Sequence, residues 1–145
     1  MMKMLLLALA ALAGAAGACQ SAANAALAGR AGLGPALMVN ALVVLVAVLI
    51  LCGVTGGLRT MGGVAGAPLG HYIGGLCGCF IIATMALAFP RVGGAFALAL
   101  MVLGTGAMGA AIDHFGLWGM RVIPLSAPRA VGVLLLAAGT ILMRR

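Results

Sequence analysis

Residues 36–57 read Ala-Leu-Met-Val-Asn-Ala-Leu-Val-Val-Leu-Val-Ala-Val-Leu-Ile-Leu-Cys-Gly-Val-Thr-Gly-Gly, a run with no charge and one side-chain amide, Asn40. A hydrocarbon layer about 30 Å thick is crossed by about 20 apolar residues in a helix. The run has that length. Gly34-Pro35 precedes it, and proline suits the first turn of a helix, where its missing N–H costs nothing. In lipid every backbone amide must be satisfied within the segment, so the run is expected to be a transmembrane helix.

The same pattern repeats outward from this stretch. Met4 to Gly29 carries no charge between Lys3 and Arg30. Tyr72 to Phe89 stops at Pro90-Arg91, and Val92 to Ile112 stops at Asp113-His114. A fifth span is short, with 14 residues between Arg129 and Arg144. Snorkelling of Arg129 would extend it to Ala127, where Ser126 and Pro128 make a suitable helix start. The expected helices are therefore 4–29, 35–57, 72–89, 92–112 and 127–143, in a single membrane domain over residues 1–145. The connections are short and rich in Gly and Pro. The longest, Gly56 to Gly70, shows no helical pattern.

Composition agrees. Two-thirds of the chain is hydrophobic and 6% is charged, against about a quarter charged in soluble domains. So few charges cannot cover a water-facing surface. The strand alternation of a barrel is absent. The fold class is all-α, a polytopic membrane helix bundle of about five transmembrane helices with the lipid bilayer as its solvent.

The start of the chain admits a rival reading. Lys3, the Leu/Ala/Gly stretch from Leu5 to Ala18 and the small residues before Cys19 are also features of a secretory or lipoprotein signal. Ala16 stands where a lipoprotein signal usually has leucine, and the rest of the chain is itself membrane-embedded. The segment is expected to stay as the first span.

The net charge of +7 suggests nucleic acid at first sight. The basic residues are scattered between apolar runs, however, whereas phosphate binding needs them clustered. No nucleic-acid partner is expected. Scattered cations at span ends act as anchors and set orientation. With five spans, Lys3, Arg59, Arg121 and Arg129 border one side, and Arg30, Arg91, Arg144 and Arg145 border the other. The four-to-four tie removes the positive-inside bias and makes dual topology a hypothesis, with two oppositely inserted copies forming an antiparallel dimer. Orientation fixed by loop details or by a partner subunit is the alternative.

Polar residues inside the spans are the candidate site. Gln20 and Asn24 are four apart and share a helix face. Asn40 lies early in the second span. Amides in lipid are costly unless paired, so they should face inward, either along a substrate path or as links between helices. Thr84, Thr105 and Thr140 are expected to bond back to their own helices. His71, Tyr72 and Trp118 suit the membrane interface. Gly53 with Gly57 and Gly74 with Gly78 have the four-residue spacing that lets helix backbones approach.

Asp113 is the sole acid of the chain. At membrane depth it would be a candidate for coupling, binding a proton or a cationic solute. It follows a full-length span, which places it nearer the interface. There it could pair with Arg121 or Arg129, or cap the turn with His114. Cys19, Cys52, Cys77 and Cys79 lie in apolar runs without metal-ligand spacing. No metal, no cofactor and no enzyme constellation is expected.

The segment Gly104-Thr-Gly-Ala-Met-Gly-Ala-Ala-Ile-Asp113-His114-Phe115-Gly116-Leu-Trp-Gly119, followed by Pro124-Leu125-Ser126-Ala-Pro-Arg129-Ala-Val-Gly132, resembles the YdcZ family of small five-helix membrane proteins in the drug/metabolite transporter superfamily. That family shows an Asp-His-Phe-Gly signature and then a Pro-Leu-Ser/Arg/Gly stretch. Gln20 and Asn24 match its first-helix Gln/Asn pair, Arg30 to Pro35 loosely matches its first turn, Gly74-Gly75-Leu-Cys-Gly78 matches the opening of its third helix, and Pro90-Arg91-Val-Gly93 matches the approach to its fourth. The resemblance spans nearly the whole chain. It departs at Gly104-Thr105, where the family usually has Gly-Gln, which makes Thr105 a candidate for altered specificity. The resemblance implies a superfamily of exporters and importers of small metabolites and drugs, so the expected function is movement of a small-molecule substrate across a bacterial inner membrane; with the charge tie, the expected form is an antiparallel homodimer or a pairing with a related second subunit. Small multidrug exporters of the superfamily use a first-helix glutamate that this chain lacks. The contrasting expectation is a non-transporting membrane subunit that scaffolds or regulates another protein.

Overall fold

The computed structural model describes residues 1–144; Arg145, one of the eight cations counted above, lies outside them. Five α-helices follow in order: α1 Met2–Ala31, α2 Leu33–Thr55, α3 Ile73–Val92, α4 Gly94–Phe115 and α5 Ala127–Leu142. No strand occurs among the described residues. At 1.5 Å per residue α1 to α4 run about 30–45 Å, enough to cross a bilayer, while α5 runs about 24 Å. Four candidate spans and one shorter apolar helix result.

The burial pattern is that of a protein dissolved in lipid. Leu42, Ile50, Phe80 and Leu135 lie on the outside, while Ser21, Asn24 and Thr140 are buried with Ala36, Met85, Ala86 and Ala97. Without a hydrophobic reason to associate, helices meet through small residues and polar links, and those are what the interior holds.

The chain divides into two compact units, one from Met1 to Phe89 and one from Pro90 onward. In the first, α1 and α2 form an antiparallel hairpin that turns at Gly32. The N–H of Gly32 donates to the Ala28 carbonyl (2.9 Å), and its own carbonyl accepts from Ala36 (3.3 Å), so one residue ends one helix and starts the next. Its φ of +88° is open to glycine and strained for other residues. α2 closes on Gly56 in the left-handed conformation. The stretch after it, expected to lack helical pattern, folds as two 3₁₀ segments, Gly57–Gly63 and Leu69–Tyr72. Their i→i+3 bonds satisfy backbone that is too glycine-rich for a stable α-helix. The Tyr72 hydroxyl donates to the Val64 carbonyl across them.

α3 runs on through Pro90 to Val92, past the expected stop at Phe89. A proline two residues from a helix end removes one backbone donor and leaves little helix beyond it to distort. The chain turns instead at Gly93, with φ +86°.

In the second unit α4 and α5 are antiparallel. Ala99 meets Thr140, Gly106 meets Leu136 and Asp113 meets Arg129, stepping up one helix and down the other. A Cβ on Gly106 would sit 3.2 Å from Leu136 Cδ1, so this glycine permits the approach. The glycines singled out by spacing are placed differently. Gly53, Gly74 and Gly78 have open space at the Cβ position, and Gly57 lies beyond α2 against Cys52 of its own turn. None of the four meets a neighbouring helix of its own unit closely.

Candidate functional site

Gln20 and Asn24 sit one turn apart on α1, and the Gly32 hairpin brings Asn40 of α2 opposite both. Asn40 Oδ1 accepts from Gln20 Nε2 and from Asn24 Nδ2, each at 3.2 Å. Asn24 is 8% exposed. One acceptor thus satisfies two donors that would otherwise be stranded in hydrocarbon. Ser21, beside this cluster and also buried, turns its hydroxyl back to the Gly17 carbonyl at 2.8 Å. Among the described residues, Asn40 Nδ2, Gln20 Oε1 and Asn24 Oδ1 have no protein partner, and none of them is sealed from its surroundings.

Asn40 has a second environment. It lines a cleft of about 400 Å³ between α2 and α3, whose wall also includes Ala41, Val44, Gly75, Gly78 and Ile82. The wall is otherwise apolar. Gly78, open at its Cβ, leaves room on the α3 side. Asn40 stands about 12 Å along α2 from the hairpin turn at Gly32, at eight residues of rise, inside a helix long and apolar enough to cross a bilayer.

The second polar cluster closes α4 onto α5. Asp113 Oδ2 accepts from one terminal guanidinium nitrogen of Arg129. The other terminal nitrogen donates to the Ile123 carbonyl at 3.2 Å, and the Ile123 N–H donates to the Asp113 carbonyl at 2.8 Å. His114 Nδ1 accepts from the Leu125 N–H at 3.1 Å, and its ring meets Phe115 edge-on. Of the two arginines considered from sequence, Arg129 takes the carboxylate. The ion pair is about one-third exposed and borders a cleft of about 440 Å³ walled by Gly106, Gly109 and Gly132.

Thr105 donates to its own helix, at 3.0 Å from the Met101 and Val102 carbonyls. Its hydroxyl proton is committed, which weakens it as a specificity group. Thr140 bonds back to Leu136 (2.8 Å) and also reaches Ala99 O on α4 (3.3 Å). That link between helices was not legible, because a threonine carries no mark of which carbonyl the next helix presents. The four cysteines are unpaired. No group of three or more metal-ligating side chains occurs among the described residues.

Two polar constellations are therefore built into an apolar scaffold. One is an uncharged amide cluster at a cleft within the span region. The other is an ion pair that ties a hairpin at a span end. Neither contains a nucleophile with a base.

Compared with known families, residues 5–142 match the one described as "Putative inner membrane exporter, YdcZ". No curated protein and no solved structure matches the chain. The match covers nearly all of the sequence, so the chain belongs to that family and is a multi-pass protein of the inner membrane.

Proposed function

We propose, from membership of this inner membrane exporter family, that the chain exports a small solute, a metabolite or drug, as a member of the drug/metabolite transporter superfamily. The observation that carries the reading is Asn40. It is held by Gln20 and Asn24 on one side and borders the α2–α3 cleft on the other. A solute in that cleft meets apolar walls and one polar group, the usual composition of a small-molecule site. Hydrogen bonds that merely linked helices would not need an open cleft beside them.

The working form in this proposal is an antiparallel homodimer. Cations balanced between the two sides support insertion in both directions. The open faces at Gly53 and Gly74, outside the cleft lining, offer surfaces on which a second copy could pack closely. Two opposed copies would supply the inverted symmetry on which alternating access commonly rests.

The test is solute flux from proteoliposomes holding the purified chain alone. Flux above empty liposomes for a member of a metabolite and drug panel is expected. No flux for any panel member, together with a stoichiometric co-purifying membrane protein, would instead assign a scaffold or regulatory subunit.

A further inference from the structure

Resting on the reading of the α2–α3 cleft as the solute site, we infer that the solute is uncharged, largely apolar, and presents a hydrogen-bond acceptor such as a carbonyl or hydroxyl oxygen to Asn40. Three observations lead there. First, both donors of the cluster converge on Asn40 Oδ1, at 3.2 Å each. That leaves Asn40 to offer the cleft its Nδ2 donor. Gln20 and Asn24 act as positioning residues, fixing which end of the Asn40 amide a solute meets.

Second, charge is missing where a charged solute would need it. Residues 4–29, 36–57 and 72–89, which make up most of these helices, contain neither acid nor base, and the cations Lys3, Arg30 and Arg91 stand only at the helix ends. The one acid of the chain, Asp113, is already engaged by Arg129. A permanent ion of either sign drawn to the depth of Asn40 would lose its hydration with no opposite charge within those three stretches, a heavy cost in a bilayer. An amide N–H replaces the hydration of a neutral carbonyl at little cost. Third, the cleft is about 400 Å³ and its other walls are apolar, so the bulk of the solute is matched by burial of hydrocarbon surface.

A matched pair of ligands separates charge from shape. 3,3-Dimethylbutyl acetate and acetylcholine share a carbonyl and an outline, and differ by a quaternary carbon in place of a quaternary nitrogen. Binding of each is measured by saturation-transfer NMR on the full chain in lipid nanodiscs, with empty nanodiscs subtracted. The neutral ester is expected to bind, acetylcholine about 100-fold more weakly, given the cost of a charge at depth, and Asn40→Leu should abolish binding of the ester. Acetylcholine binding to the native chain as tightly as the ester, with Asn40→Leu abolishing both, would overturn the neutral class while leaving the solute site standing. Ester binding unaffected by Asn40→Leu, or no binding of either ligand, would each overturn the inference. Flux of other solutes decides the exporter reading separately.

Discussion

Arg129 holds Asp113 from sixteen residues further along the chain, and the same guanidinium also donates to Ile123 O, whose residue in turn bonds back to the Asp113 carbonyl. The arrangement closes the segment between α4 and α5 into a ring of side-chain and backbone bonds. It uses the planar fork of arginine, which sets two donors at a fixed angle. Lysine offers a single point charge and cannot reproduce this. The sole acid of the chain thus fastens the start of α5 to the end of α4.

Two substitutions separate fastening from ion coupling. Asp113→Asn and Arg129→Lys are each expected to lower the melting temperature in detergent by a few degrees, about 1 kcal/mol for a partly exposed pair with one added hydrogen bond. Solute flux per folded protein should persist in both. Flux abolished in Asp113→Asn at an unchanged melting temperature would assign the carboxylate to coupling.

Gly116 ends α4 in the left-handed conformation, with φ +62°. A Cβ there would lie 2.7 Å from Val122 Cγ2 and 3.2 Å from the Met120 carbonyl. Gly116→Ala therefore combines backbone strain with a clash. It should destabilise the protein by about 2 kcal/mol or more. Gly104→Ala, on α4 with open space around it, should be neutral or slightly stabilising, since alanine favours the helix. Thermal unfolding of the two variants side by side checks this. Equal melting temperatures would mean that the turn relaxes freely.

Balanced cations predict insertion in both directions. C-terminal fusions to a cytoplasmic fluorophore and to a periplasmic phosphatase should both give signal. Ala31→Lys, which adds a cation beside Arg30, should shift the ratio by several-fold, because short loops near span ends set orientation. Signal from one fusion alone, in the native chain, would remove the antiparallel dimer from the account.

The apolar runs made the helices legible, since lipid tolerates little else at such length. The shared face of Gln20 and Asn24 was legible for the same reason, because helical periodicity fixes it. Their partner was not. Asn40 meets them only because the chain reverses within one residue at Gly32, and the sharpness of that turn depends on a φ that the surrounding glycines at 29 and 34 could also have supplied. The choice between Arg121 and Arg129 was open for a similar reason. It is set by the path of residues 116–126, where Trp118 adopts φ +55°, a conformation uncommon outside glycine. The glycine that does permit a close helix approach, Gly106, has no four-spaced glycine before or after it within α4. Its importance lies in facing Leu136, which the register of two helices decides and a one-dimensional spacing does not. Pro90 showed the opposite error. It reads as a stop, yet so near the end of α3 it costs one hydrogen bond and the helix continues to Val92.

The central claim is that the amide cluster at the α2–α3 cleft receives the exported solute. Counterflow of a transported solute into proteoliposomes, compared between Asn40→Leu and Thr55→Val, tests it most directly. The Thr55 hydroxyl donates to Leu51 O of its own helix, at 2.8 Å, and its variant serves as the control. At least about a tenfold loss of initial rate is expected in Asn40→Leu, the scale of one lost hydrogen bond to a bound solute, with the native rate kept in Thr55→Val. Native counterflow in a correctly inserted Asn40→Leu would contradict it.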